Sequence, residues 1–266
     1  MWQHALRGST REVAQRRGRM RVGLRSAARR FASSQPTAPY LRPATDASRL
    51  TLCLDLDETI VHSTNDDLNM SFMEPNGAEA AREAAEYDMR HRTARARLPR
   101  LPDLEVELPY LMEPVQIHKR PQLDDFLLEA SKMCEVVLFT SASDLYAREC
   151  VRALDPAGTV FSAVLTRDHC TFDDGLYLKD LSKLGRPLER VVCVDDHVGS
   201  CMLQPSNAVP VRPYLGEGDD RELAHVLALL QRLRNVDDVR DSLRGMYNLQ
   251  EIMLGRVRRI RERDQL

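Results

Sequence analysis

Several features that define whole classes of protein are missing from this sequence. Its 266 residues contain no apolar run near the ~18 residues that a membrane-spanning helix requires, and a formal net charge of −2 offers no overall basic surface for nucleic acid. The cysteines form no CxxC pair and the histidines are scattered, which argues against disulfides and a zinc site. We therefore expect one principal globular domain with no membrane-spanning segment of its own, no nucleic-acid partner and buried free thiols.

Positive charge is concentrated in the first 45 residues, where arginines alternate with small residues and Glu12 is the only acid. This composition is typical of a mitochondrial transit peptide, and the stretch 29–33 resembles a matrix-processing pattern. We predict cleavage after Phe31 and a mitochondrial location. The alternative is a disordered basic tail that binds acidic partners.

Short apolar runs alternate with helix-like segments, which is typical of a parallel sheet with crossover helices. The predicted strands are 50–54, 136–139, 191–194 and, at a sheet edge because of its proline, 208–211. Helices are predicted to begin near Gln122 and Leu145. Three strands end in polar residues, at Asp55, Thr140 and Asp195. Ligands of such sheets bind at the carboxyl ends of the strands, so these residues indicate one site.

The same patterns divide the chain into three regions. They are a transit peptide and linker (1–49), a principal domain (50–235) interrupted by an excursion (64–113), and a C-terminal helical tail (236–266). Within the excursion, 77–97 is predicted to be helical and 99–109 to be a loop. The excursion is either a solvated surface segment or a lid over the site. An apolar stripe at helical spacing is predicted to face the core: Leu223, Val226, Leu227, Leu230 and Leu233.

Two acids directly after the first strand carry the chemistry. Asp55 and Asp57 lie on the same side of an extended chain, because side chains alternate with a period of two. One carboxylate can attack a phosphoryl group while the other handles the proton, which are two needs of phosphate-ester hydrolysis. Alone, Asp-x-Asp-x-Thr is a weak motif, since paired acids after a strand are commonly a solvated turn.

Further residues strengthen this interpretation. Thr140 and Ser141 end a strand in hydroxyls that can bond phosphoryl oxygens, Lys179 follows downstream, and Asp195 and Asp196 end another strand. Nucleophile, hydroxyl, lysine and metal-binding acid in this chain order resemble the four motifs of the haloacid dehalogenase superfamily. The resemblance implies an α/β fold of Rossmann type: a parallel sheet with flanking helices and a small β-hairpin insertion.

Longer stretches resemble two families within that superfamily. Three are similar to the phosphatases of the RNA polymerase C-terminal domain: 54–63, 119–121 and 179–185. Others are similar to the receptor-subunit family of the mitochondrial inner-membrane presequence translocase, the Tim-fifty family, which shares this domain: 154–156, 168–170, 174–175, 203–211 and 216–220. The resemblance covers roughly 50–263, apart from the excursion.

This resemblance implies roles for individual residues. Asp55 would attack phosphorus to form an aspartyl phosphate, and Asp57 would protonate the leaving group and later activate water. Lys179 and Thr140 would stabilise the transferring group. Two further residues are predicted to bind substrate phosphate, Ser141 through its hydroxyl and Arg167 by its match to a phosphate-binding arginine of the small phosphatases; a solvated surface position is an equal alternative for Arg167.

The resemblance also implies a Mg²⁺ cofactor. Its predicted ligands are the Asp55 carboxylate, the Asp57 backbone carbonyl and Asp195, with Asp196 beside them, consistent with the preference of Mg²⁺ for oxygen. Many phosphatase relatives have asparagine where this chain has Asp196. The additional negative charge is expected to weaken phosphate binding unless Asp196 is protonated or paired.

Two functions remain open from the sequence. The first is a presequence-translocase receptor, associated with the inner membrane or in the matrix, that binds presequence-bearing preproteins and other translocase subunits. The alternative is a mitochondrial phosphatase of phosphoserine or phosphothreonine proteins. A nuclear polymerase phosphatase ranks third, because the arginine-rich start points to mitochondria.

Overall fold

The computed structural model describes residues 38–46, 48–64, 101–173 and 176–251. The predicted transit peptide with its cleavage position, the helix expected in 77–97 and the last residues of the predicted tail lie outside these ranges. None of the helices in the described ranges has both the length and the apolarity needed to cross a membrane.

The described residues form strands and α-helices that we number in chain order. The strands are β1 (Leu50–Leu54), β2 (Val61–Ser63), β3 (Leu104–Val106), β4 (Val115–Lys119), β5 (Cys134–Phe139), β6 (Phe161–Leu165), β7 (Thr171–Asp173), β8 (Leu176–Leu178), β9 (Val191–Asp195) and β10 (Ala208–Pro210). The helices are α1 (Leu123–Met133), α2 (Asp144–Leu154), α3 (Glu222–Leu233) and α4 (Val239–Tyr247). Short 3₁₀ turns fill several connections, among them Leu181–Leu184 and Val198–Cys201.

A parallel sheet in the order β10-β9-β1-β5-β6 is the centre of the fold. The predicted α/β architecture is confirmed, as are the strand runs and the helices beginning near Gln122 and Leu145. The proline-containing strand β10 lies at an edge, as predicted, because proline has no N–H and cannot donate a hydrogen bond to a neighbouring strand. The antiparallel pair of β7 and β8 is the predicted β-hairpin insertion.

Alternate residues of the central strands face two separate apolar cores. Leu50, Leu52 and Leu54 of β1 enter the larger core, which also receives side chains of all four helices, whereas Cys53 enters the smaller one. Both faces of the sheet are therefore covered, so β1 reads as a continuous apolar run with every residue buried. The smaller core is covered by the 3₁₀ turns and not by the described α-helices.

A second, antiparallel sheet in the order β2-β4-β3 follows the acidic motif. The prediction of a loop over 99–109 is wrong for 104–106, because these residues pair with β4 as strand β3. This strand has only three residues, of which one is buried. So short an element between prolines provides no periodic pattern from which a strand could be inferred.

The apolar stripe predicted near the C-terminal end is helix α3, and it faces the larger core as predicted. Leu223, Val226, Leu230 and Leu233 are buried, and Leu227 packs at the edge of the core. Helix α4, which falls in the region predicted as a helical tail, adds its residues Val239 and Leu243 to the same core.

Part of the predicted linker packs on the domain. The backbone N–H groups of Tyr40 and Leu41 donate to the carbonyl oxygens of Lys183 (2.9 Å) and Leu184 (3.4 Å). The Tyr40 hydroxyl donates to the carbonyl oxygen of His169 at 3.0 Å, and Leu41 is buried in the smaller core. These two residues extend the ordered domain upstream of β1.

A buried arginine joins the turn after β1 to the segment before α3. The guanidinium of Arg120, with no exposed surface, makes two hydrogen bonds of 2.8 Å to the carboxylate of Asp220. It also donates to the backbone carbonyls of Thr59 and Arg212, and it lies 5.5 Å from the centroid of the Tyr214 ring. A charge buried to this degree is tolerated because every nitrogen of the guanidinium has a hydrogen-bond partner.

We expect Arg120→Ala to destabilise the domain strongly. Removing one partner of a buried ion pair leaves the other charge uncompensated and costs about 3–5 kcal/mol in the free energy of unfolding, measurable by urea denaturation. The matched control is Arg212→Ala, whose side chain is 74% exposed and paired with Glu222, and it should leave the urea midpoint nearly unchanged. Equal losses in both variants would contradict this account.

Candidate active site

The strands β1 and β9 end side by side and deliver acids to the same place. In the register of the sheet, Leu54 lies beside Leu138 of β5 and Val194 of β9. The residues that follow, Asp55 and the last residue of β9, Asp195, therefore emerge at the carboxyl edge together. The backbone N–H of Asp55 donates to the Val194 carbonyl at 3.0 Å, which fixes this alignment.

Lys179 connects the two acids. Its Nζ lies 2.7 Å from Oδ1 of Asp55 and 2.6 Å from Oδ2 of Asp195, and all three residues are buried. Burial alone would lower the pKa of Lys179, but the charges of Asp195 and Asp55 outweigh it and raise the pKa well above its ordinary value. Burial raises the pKa of Asp55 to about 6, an effect that Lys179 opposes and Asp195 reinforces. The lysine is therefore a fixed positive charge between two carboxylates.

Asp57 lies in a tight turn that separates it from Asp55. The turn contains Glu58 in the left-handed region at φ 60°, and the Glu58 N–H donates to the Val61 carbonyl at 2.7 Å. The Asp57 carboxylate accepts a 2.7 Å hydrogen bond from the Tyr146 hydroxyl of α2. Burial raises the pKa of Asp57 to about 7; the hydrogen bond from Tyr146 opposes this shift and the charge of Asp55 adds to it.

Thr59 connects Asp55 to Asp196, the acid that directly follows β9. Its hydroxyl lies 3.3 Å from Oδ2 of Asp55 and 3.2 Å from Oδ1 of Asp196, and it accepts from the Asp196 N–H at 3.1 Å. Burial, with repulsion from Asp195 and Asp55, raises the pKa of Asp196 well above its ordinary range. Asp196 is therefore easier to protonate than an aspartate in water, and its negative charge is costly here in the absence of a cation.

The remaining predicted residues form a neighbouring group at the end of β5. Thr140 is buried, and its hydroxyl oxygen accepts from the Ala142 N–H at 3.0 Å, which leaves the hydroxyl proton to donate elsewhere. The Arg167 Nε donates to the Ser141 carbonyl at 2.8 Å, and its guanidinium carbon lies 5.1 Å from the centroid of the Tyr177 ring. Arg167 is therefore held at the site edge, and the roles of these residues stay predictions.

Three carboxylates could hold a cation. Oxygens of Asp55, Asp195 and Asp196 lie within 4.8 Å of one another, and hard carboxylate oxygens are the ligands that Mg²⁺ prefers. Lys179 contacts Oδ1 of Asp55 and Oδ2 of Asp195. The other two oxygens, Oδ2 of Asp55 and Oδ1 of Asp195, lie 3.3 Å from the Thr59 hydroxyl and 2.8 Å from the His197 N–H, and each keeps a lone pair for a cation. The donor set therefore fits Mg²⁺. The side chain of Asp57 is turned to Tyr146, which agrees with a predicted role for its backbone carbonyl only.

Sequence reasoning missed three residues of the site. Thr59 is the last letter of the Asp-x-Asp-x-Thr motif, so the motif itself could have indicated it. Tyr146 and Ser200 had no such signal. Ser200 donates its hydroxyl to Asp195, and its carbonyl accepts from the Lys179 N–H at 2.8 Å, so that it ties the lysine to the acid through the backbone.

Comparison with known families agrees with this geometry. Residues 50–240 match the model of the NLI interacting factor-like phosphatases. The chain belongs to this phosphatase family. The match includes every residue that was predicted to form the site, and it ends inside α4.

Two relatives illustrate the range of proteins to which this chain is similar. The chain is 35% identical over 213 residues to human carboxy-terminal domain RNA polymerase II polypeptide A small phosphatase 1, covering 79% of this chain and 70% of that protein. It is 32% identical over 221 residues to the mitochondrial import inner membrane translocase subunit TIM50 of Candida glabrata, covering 82% of this chain but 35% of that protein. The predicted resemblance to both groups is confirmed.

Solved structures of phosphatases are also similar. The fission yeast RNA polymerase II CTD phosphatase Fcp1 is 23% identical with a TM-score of 0.44, covering 76% of this chain and 55% of that one. A second structure of Fcp1 is 26% identical with the same TM-score of 0.44, covering 71% of this chain and 52% of that one.

We expect Mg²⁺ to stabilise the folded protein through the three carboxylates. A cation that binds the native state at 100 times its Kd raises the free energy of unfolding by about 2.7 kcal/mol. Urea denaturation with and without Mg²⁺ measures this gain. Asp195→Asn should abolish it, whereas the control Asp241→Asn, an exposed acid on α4, should retain it. A gain that survives Asp195→Asn would contradict the assignment.

Proposed function

We propose that this chain is a Mg²⁺-dependent phosphatase of phosphoserine or phosphothreonine proteins, with Asp55 as the nucleophile. The observation that carries the proposal is the position of Lys179, whose Nζ contacts both Asp55 and Asp195 at the carboxyl edge of the sheet. A phosphoryl group brought to Asp55 meets a buried positive charge within hydrogen-bond distance of the nucleophile. Stabilising charge in a dry, preorganised site is usually the largest contribution to catalysis.

The reaction needs two carboxylates in different roles. An oxygen of Asp55 attacks phosphorus, the bond from phosphorus to the substrate oxygen breaks, and Asp57 donates a proton to that leaving oxygen. Water then attacks the aspartyl phosphate, Asp57 takes its proton, and Asp55 is released with inorganic phosphate. The two carboxyls have different partners, since the Tyr146 hydroxyl bonds Asp57 whereas Lys179 bonds Asp55.

The other groups bind and orient. Asp55, Asp195 and Asp196, with the Asp57 carbonyl, would hold Mg²⁺, which when bound neutralises phosphoryl charge. Thr140 has a hydroxyl proton available for a phosphoryl oxygen, since its oxygen already accepts from the backbone. The Ser141 hydroxyl and the Arg167 guanidinium would bind the phosphate from the other side.

We expect Asp55→Asn to abolish hydrolysis of an aryl phosphate in the presence of Mg²⁺. An asparagine cannot form the acyl phosphate, so kcat should fall roughly a thousandfold or more, the scale of losing a nucleophile. The release of phosphate by the purified protein measures this, and Asp241→Asn on α4 serves as the Asp-to-Asn control. If wild type releases phosphate no faster than Asp55→Asn, the enzymatic proposal fails.

A second candidate is a receptor role in mitochondrial protein import. It is supported by the similarity to TIM50 of Candida glabrata, which covers 82% of this chain, and by the arginine-rich start typical of a transit peptide. Presequence-bearing preproteins and inner-membrane translocase subunits would then be its partners, at the inner membrane or in the matrix. The two roles are compatible, because a receptor function requires no nucleophile but is not harmed by one.

Depletion of the protein in its own cells should slow the import of presequence-bearing proteins into mitochondria. Re-expression of the wild-type chain is the positive control. Re-expression of Asp55→Asn then separates the roles: restored import indicates a receptor that acts without catalysis, and failed restoration indicates that phosphate hydrolysis is required. Normal import after depletion would contradict the receptor role.

A further inference from the structure

The hairpin of β7 and β8 carries a row of side chains that leads from the site to the surface. Phe172 and Tyr177 are directly opposite each other in the antiparallel register, so their side chains share one face. Lys179 directly follows β8 and Cys170 directly precedes β7, so both lie at the inner end of the hairpin. The hairpin therefore leads directly to the lysine of the site.

Contacts at the inner end support this placement. Lys179 bonds Asp55 and Asp195, and the Cys170 sulfur lies 3.7 Å from the carbonyl oxygen of Thr140. Both residues thus lie at the carboxyl edge of the central sheet. Two strand residues span roughly 7 Å, so Phe172 and Tyr177 are about that far outward along the hairpin.

Exposure increases along this row. Lys179 is buried, Tyr177 is half-buried, and Phe172 is 63% exposed. The guanidinium carbon of Arg167 lies 5.1 Å from the centroid of the Tyr177 ring. The centroids of the Tyr177 and Phe172 rings are 4.9 Å apart. Single exposed phenylalanines are ordinary on protein surfaces. This one differs by its place, because it rests on a tyrosine that itself contacts a predicted phosphate-binding arginine.

We propose that Phe172 is a specificity-determining residue that contacts an apolar side chain of the substrate, about two residues from the phosphorylated one. The inference rests on the proposed phosphatase function and names its substrate class: an extended segment of a phosphoprotein with a large apolar residue near the phosphoserine or phosphothreonine. An extended peptide advances about 3.3 Å per residue, so two residues span the roughly 7 Å of backbone from Lys179 to the level of Phe172 along the hairpin.

The position of Phe172 next to the active site indicates that the group it contacts belongs to the bound substrate. A segment whose phosphate is held by Lys179 and Arg167 is already anchored, and its neighbouring residues must leave the site over adjoining surfaces such as this hairpin. An apolar side chain there covers the exposed ring, which removes apolar surface from water. The Tyr177 ring packs against one side of the Phe172 ring, and the rest of the Phe172 ring is exposed.

The test compares two phosphoserine heptapeptides. One has phenylalanine two residues before and two residues after the phosphoserine, and the other has asparagine at both positions. Wild type should hydrolyse the phenylalanine peptide with a kcat/KM roughly tenfold higher, mainly through KM, which is the scale of an aromatic pair with its buried area. Phe172→Ser should reduce this ratio to about one, and Phe172→Tyr should keep most of it.

Leu128→Ser is the matched control, because Leu128 is 53% exposed on α1 and should retain the wild-type ratio. A ratio is unaffected by the fraction of folded enzyme, so loss of stability cannot imitate the result. Equal ratios in wild type and Phe172→Ser, or a wild-type ratio near one, would overturn this inference and leave the phosphatase proposal standing. If wild type hydrolyses neither these peptides nor an aryl phosphate, both fall together.

Discussion

The contact of one ammonium group with two carboxylates organises this protein. Asp55 and Asp195 end adjacent strands, and without Lys179 between them their charges would repel in a place that water barely reaches. The lysine comes from the hairpin rather than from the sheet, so a third element is fixed to the same edge. Ser200 adds a second connection, because it bonds Asp195 through its hydroxyl and the Lys179 backbone through its carbonyl.

Around this contact, structure and chemistry depend on the same residues. Arg120 bonds the Thr59 carbonyl, and the Thr59 hydroxyl lies beside Asp55 and Asp196, so the buried ion pair of Arg120 and Asp220 supports the acids of the site. A rigid surrounding shell of this kind is what holds reactive groups in a productive geometry. The contacts that stabilise the turn after β1 therefore also position the acids for phosphoryl chemistry.

The sequence predicts four strands of the central sheet from their apolar runs, and it predicts the acids because they directly follow those runs. It does not predict the edge strand β6, most of whose residues are only partly buried. It fails where the signal is short or distant. Strand β3 has three residues, and the hydrogen bond from Tyr146 to Asp57 joins positions 89 residues apart. No local pattern distinguishes Tyr146 from any other aromatic residue on the inner face of a helix, because its role arises only when the chain folds.

The docking of Tyr40 and Leu41 has a consequence for where this domain physically starts. Gly185, at φ 73°, leaves no room for a side chain, since an added Cβ would lie 2.6 Å from the Cβ of Pro39. Residues 39–41 therefore cover one side of the smaller core. Processing after Phe31 would keep residues 39–41. A truncation just before β1 would remove them and expose to water the smaller core, which also contains Cys53 of β1 and Cys193 of β9.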